Sequence, residues 1–264
     1  MTNPTVWNQV LVWPITNLLV IFYKFFEWLH IPGPFGWAII ALTVAIRFLI
    51  YPLMHAQLSS AKKMNELKPH LDALSAKHKD DKKALQQAQL DLYKQRGINP
   101  AAGCLPTLIQ FPILIALYNV FDQVLGAKDL SQFIGEVNKI LYIPSLHMQT
   151  LDITFFGVNL AMKPAEWQKY GWWLLTIPLV TAVLQWYQSK LMLPKTMTPA
   201  VKPEGTKEEK KTDDMGDMQK QMALMMPIMF GFFALQFPLG LALYWNVFGL
   251  FGIIQQIKIN TSTS

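Results

Sequence analysis

Arg47 carries the chemistry most in need of an explanation. It is the one charge in residues 36–54, a run of nineteen. A guanidinium at the centre of an apolar span costs about 2.5–3.5 kcal/mol on insertion scales, so it normally faces a protein interior or a water-filled cavity. Helical spacing puts Thr43 one turn before it and Tyr51 one turn after, on the same face. Other uncharged runs supply Gln110, then Thr181, Gln185 and Gln188 on one face, then Tyr244, Trp245 and Asn246. Gln255 and Gln256 fit an interfacial position equally well. The acid inside these runs is Asp122, which sits toward the external end of its run, away from the level of Arg47. A cation among amides and hydroxyls describes a wet, positive cavity. A proton relay needs chains of Asp, Glu or His instead.

Enzyme chemistry lacks its parts. The histidines at 30, 55, 70, 78 and 147 lie outside the runs and form no HExxH motif. A single cysteine, Cys104, excludes a disulfide scaffold and a multi-cysteine metal site, and reads as a small packing residue. No phosphate loop occurs. The chain is therefore read as a non-enzyme without metal or cofactor. Met222, Met225, Met226 and Met229 fill a helix face, or offer an adaptable apolar surface.

Elements must hold Arg47 at this depth. Of the 264 residues, 52% are apolar and 15% charged, against about 25% charged in a typical soluble domain. Charge is nearly absent from residues 36–54, 104–125, 172–189 and 221–257. Runs of this kind are membrane candidates. The last holds Phe237-Pro238-Leu239-Gly240 near its middle, which divides it into two helices, 222–237 and 239–257. The fold class is thus all-α and polytopic, with five core transmembrane helices. Buried helices of a soluble enzyme rarely lack charge for so long. The net charge of +6 would suit nucleic acid, but the long uncharged runs argue against a nucleic-acid-binding protein.

Residues 55–103 hold nine Lys/Arg and residues 190–220 hold seven, against four in residues 126–170. The positive-inside rule makes the two basic loops cytoplasmic. The expected order is an external N-terminus with an interfacial helix (1–32), first span (33–55), cytoplasmic helical hairpin (56–98), second span (99–126), extracytoplasmic loop (127–170), third span (171–193), cytoplasmic loop (194–219), fourth span (220–237), fifth span (238–258) and cytoplasmic tail (259–264). Residues 10–30 are apolar but hold Lys24, Glu27 and several aromatics. That pattern fits a helix lying in the membrane interface, with a sixth span as the alternative. A signal peptide is not expected, because no basic n-region or small-residue cleavage site is seen. In the hairpin, Met64, Leu67, Leu71 and Leu74 form one apolar seam and Leu85, Ala88 and Leu92 another. Asp81 can cap the second arm, and Pro69 is expected to bend the first.

Three segments carry a resemblance: 36–53 (GWAIIALTVAIRFLIYPL), 99–119 (NPAAGCLPTLIQFPILIALYN) and 225–256 (MMPIMFGFFALQFPLGLALYWNVFGLFGIIQQ). They resemble the YidC/Oxa/Alb membrane protein insertases over roughly residues 10–259. The resemblance implies five spans around a hydrophilic groove open to cytoplasm and lipid, a cytoplasmic coiled-coil hairpin and an external amphipathic helix. It implies that Arg47 is the groove arginine and Thr43 its neighbour, and that Gln185 and Trp245 line the groove. Gln110 and Gln188 join this set from the residue reading. The hairpin tip falls on Asp80, Asp81 and Lys82, a ribosome or targeting contact. The implied setting is a bacterial inner membrane, in a short form without a large extracytoplasmic domain. The partners are nascent membrane-protein substrates, lipids, the ribosome through the basic loops and the Sec translocon. The rival classes are an anion transporter or channel, which an internal repeat would favour, and an assembly scaffold. No repeat is visible.

Overall fold

The computed structural model describes residues 2–78, 81–97, 105–127, 129–192 and 214–261. Helix dominates, because long apolar runs in lipid must satisfy their own backbone. A π-helical turn, Asn8–Val12, runs into α1 (Trp13–Trp28). The next helix, α2 (Pro34–Glu66), opens on a proline in its first turn, where the missing N–H costs nothing. It continues past Pro52 to the hairpin without a break. The arms of that hairpin are α3 (Lys68–Lys77) and α4 (Lys82–Gln95).

The first arm is interrupted just ahead of Pro69. This proline sits in the first turn of α3, and the break falls at Leu67 between α2 and α3. Leu67 and Tyr93 are buried in the hairpin. Asp81 precedes α4 in extended conformation and accepts from the Lys83 and Ala84 amides, both at 3.0 Å. Gly97, at φ +62°, follows the end of α4.

After α5 (Leu105–Leu125) comes the segment read as extracytoplasmic. Asp129 caps α6 (Leu130–Asn138), whose Phe133, Ile134 and Val137 are buried. Strands β1 (Thr154–Phe155) and β2 (Val158–Asn159) pair antiparallel around Phe156 and Gly157, both with positive φ. A single turn, α7 (Trp167–Tyr170), leads to Gly171 at φ +108° and a short 3-10 turn, and only then to α8 (Thr176–Met192). Then come α9 (Asp214–Gln236) and α10 (Leu239–Thr261), separated at Phe237-Pro238.

The core gathers Leu19, Tyr23, Phe35, Ile39, Leu42, Leu117, Phe121 and Tyr244 from α1, α2, α5 and α10. The Leu239 and Gly240 amides donate to the carbonyls of Met162 and Leu160. These bonds satisfy N–H groups that a helix start leaves open. Phe48, Leu49, Phe111, Leu179, Val183, Phe232 and Ile254 point outward, as suits a lipid-facing surface.

Three helices among the described residues are long and apolar enough to cross a membrane: Asn8–Trp28, Pro34–Met64 and Leu239–Ile259. Gln110–Leu125 and Met225–Gln236 are shorter apolar stretches. Length and composition thus mark fewer crossings than the five of the charge reading. At the third of those five, Gly171 and the 3-10 turn shorten the regular helix to the 17 residues of α8.

Candidate functional site

Polar residues from α2, α5, α8 and α10 gather beside the apolar core. Thr43 is fully buried and donates to the Ile39 carbonyl at 2.7 Å, so its hydroxyl is held by its own helix. Thr181 does the same with Ile177 at 3.0 Å. Gln110 donates to the Tyr244 hydroxyl at 3.3 Å, joining α5 to α10. Its Oε1 is buried without a partner among the described residues, as is Asn246 Oδ1.

Arg47 is only 4% exposed. The sequence pointed to a hydrated guanidinium; the structure seals it. The Arg47 Nη2 donates to the Phe248 carbonyl, and its central carbon lies 3.3 Å from the centre of the Phe248 ring. A carbonyl and an aromatic face thus take places assigned to water. Nε and Nη1 are buried with no hydrogen-bond partner among the described residues. Among the described residues no carboxylate pairs with Arg47, and the ion pair found there is Lys24–Glu27 at 2.8 Å, within α1.

Gln188 lies close to Arg47, since both crowd the bare backbone of Gly252. Gln185 and Trp245 are half-buried. The Trp245 ring packs on Phe230 of α9, 4.7 Å between centroids. At the hairpin tip, Asp81 is the helix cap described above and Lys82 opens α4, while Asp80 lies outside the described residues. Arg47, Gln188 and the Phe248–Gly252 face of α10 come together, as do Gln110 and Tyr244. Thr43 stands one turn from Arg47 on α2.

Sequence reading missed Phe248 and Gly252. Phe248 looked like any other lipid-facing aromatic. The available signal was the pair Gly249 and Gly252 in an uncharged helix, since small residues let another group approach the backbone.

A family model described as 60Kd inner membrane protein matches residues 25–264. The chain is similar to the membrane protein insertase YidC of Geobacter sulfurreducens, 30% identical over 258 residues, which is 98% of this chain and 38% of the relative. It is 31% identical to that of Rickettsia akari over 254 residues, covering 96% of this chain and 39% of the relative. It is 31% identical to that of Helicobacter pylori over 228 residues, covering 86% of this chain and 33% of the relative. The chain therefore spans about two fifths or less of the length of these relatives. With a match across residues 25–264 and the span motifs in order, this chain belongs to the 60Kd inner membrane protein family.

Proposed function

We propose that the chain inserts nascent membrane proteins into the bacterial inner membrane and helps them fold, through a polar groove centred on Arg47 and without nucleotide hydrolysis. The observation that carries this is a buried guanidinium with no acidic partner and two donors unused among the described residues. The insertase names of the relatives favour insertion over solute transport.

Moving the polar end of a chain through hydrocarbon costs several kcal/mol per unpaired group. A site partway across shortens the dry path. Opposite charges about 4 Å apart attract by roughly 4 kcal/mol at an effective dielectric near 20, which draws an acidic or polar segment in without trapping it. Burial of the substrate's apolar helix, at about 25 cal/mol per Å², then drives it sideways into lipid. Thr43, Gln110, Gln185, Gln188 and Trp245 line the route in this reading. The five core spans are α2, α5, α8, α9 and α10. The hairpin tip and basic loops face the cytoplasm, where a ribosome or the Sec translocon would dock, and the C-terminus lies on the same side.

In the same reading α1 lies along the outer interface. Asn17 bonds to Ile140 and Tyr142, and the Tyr23 hydroxyl accepts from Asp152, all in the external segment. A helix crossing the bilayer would meet that segment at one end only.

The test is insertion of a small single-span substrate into proteoliposomes. Arg47→Ala is expected to lose most insertion. Arg47→Lys should recover part of it, because an ammonium keeps the charge but not the fork of donors. Full activity in the alanine variant overturns the proposal.

A further inference from the structure

We propose that Phe248 and Gly252 form a docking cradle on α10 that holds Arg47 in place and closes the polar site until a substrate segment takes over the guanidinium. The proposal rests on the insertase reading above. In a helix, the carbonyl of one residue bonds the N–H four residues on, and that residue's Cα–Cβ bond leans back toward the same carbonyl. A side chain at position 252 would therefore cover the carbonyl at 248. Glycine leaves it bare, and the Arg47 guanidinium occupies the space. A Cβ on Gly252 would lie 2.9 Å from Arg47 Nη2 and 2.7 Å from Gln188 Nε2. Both atoms end flexible side chains, so an added methyl evicts them and leaves the helix intact. One turn earlier, a Cβ on Gly249 would meet only Gln188 Oε1, at an ordinary 3.9 Å.

The cradle gives the guanidinium a carbonyl on one edge and an aromatic face beneath. It leaves Nε and Nη1 unpaired among the described residues. A segment bearing carboxylates, or extended chain with free backbone carbonyls, would fill those donors and displace the ring. Phe248 and Gly252 are positioning residues: they act through Arg47.

The experiment exploits a sequence with two arginines, Arg47 and Arg96. Arg96 is exposed beside the end of α4 and serves as an internal reference. The full chain in proteoliposomes is treated with phenylglyoxal, and modification at each arginine is read by peptide mass spectrometry. Arg47 is expected to react many times more slowly than Arg96. Gly252→Ala should raise the Arg47 rate several-fold while Arg96 stays unchanged. Phe248→Leu, which keeps the carbonyl and removes the ring, should raise it as well. Gly249→Ala should leave the ratio as in the parent. An unchanged ratio in Gly252→Ala, or an equal rise in Gly249→Ala, overturns the cradle. No substrate is present, so the ratio is independent of the insertion assay: failed insertion by the parent chain sinks the insertase reading and leaves the cradle measurement standing.

Discussion

The side-chain amide of Asn17 donates to the carbonyl of Ile140 at 3.0 Å, tying the N-terminal turns of α1 to a segment 123 residues further on. The same side chain accepts from the Tyr142 amide at 2.7 Å and is 3% exposed. Removing it strands two backbone groups in a buried place, at about 1–3 kcal/mol per unsatisfied group. Asn17→Ala is therefore expected to lower the melting temperature in detergent clearly. Asn17→Asp keeps the acceptor for Tyr142 but sets a buried carboxylate oxygen against the carbonyls of Ile140 and Trp13, so its melting temperature should fall at least as far as that of Asn17→Ala. An unchanged melting temperature in Asn17→Ala would show that α1 docks by apolar packing alone.

Arg47 and its run were legible because a lone charge in nineteen residues is conspicuous whatever the packing. The hairpin was legible for a similar reason: Asp81 sits one residue ahead of an apolar-periodic segment, and its carboxylate caps the helix there. What covers Arg47 was not. A backbone carbonyl has no side-chain signature, and Phe248 sits among other aromatics in an uncharged helix. The Gln110–Tyr244 pair was hidden because the two residues lie 134 positions apart on different helices. The form of the helix start was hidden for a local reason. Residues 172–175 are as apolar as the helix they precede, and nothing in their types shows that they wind as a 3-10 turn after Gly171 before α8 begins.

Asp81 holds the first turn of α4 through the Lys83 and Ala84 amides. Replacing such a cap by alanine costs about 0.5–2 kcal/mol. Asp81→Ala should speed hydrogen exchange at the first-turn amides of α4 and leave α10 unaffected. Asp81→Asn retains an accepting oxygen and should behave much like the parent. Equal exchange in all three chains would mean that the carboxylate adds nothing to the turn.

Gly33 and Gly135 separate backbone need from mere smallness. Gly33 has φ +72°, and a Cβ there would lie 2.9 Å from the Phe155 ring and 3.0 Å from the Phe155 Cα. Backbone offers little room to yield, and a left-handed alanine is strained by about 1–3 kcal/mol. Gly33→Ala should therefore destabilise the contact between the start of α2 and β1. Gly135, inside α6, has nothing within 4 Å of an added Cβ. Its alanine variant should gain up to about 1 kcal/mol, since glycine is the poorer helix former. Thermal melts of the two variants should shift in opposite directions, and a shift of the same sign in both would contradict the geometry.

Gln110 and Tyr244 offer a way to measure one polar contact inside the bundle. Tyr244 is 1% exposed, and the Gln110 donor that its hydroxyl accepts from is part-buried. Tyr244→Phe leaves that donor without its acceptor and should cost about 1 kcal/mol, the usual net worth of a hydrogen bond. Gln110→Leu removes the donor and also the Oε1 that lacks a partner among the described residues, so its cost should be smaller. Once Gln110 is leucine, Tyr244→Phe has no bond left to break. The double variant should then be about as stable as Gln110→Leu alone, a coupling of roughly 1 kcal/mol in a double-mutant cycle. Additive losses would mean that the two side chains do not meet when the protein is in lipid, and that α5 and α10 are held together by apolar contacts such as that of the Phe121 ring with Tyr244, 6.5 Å between centroids.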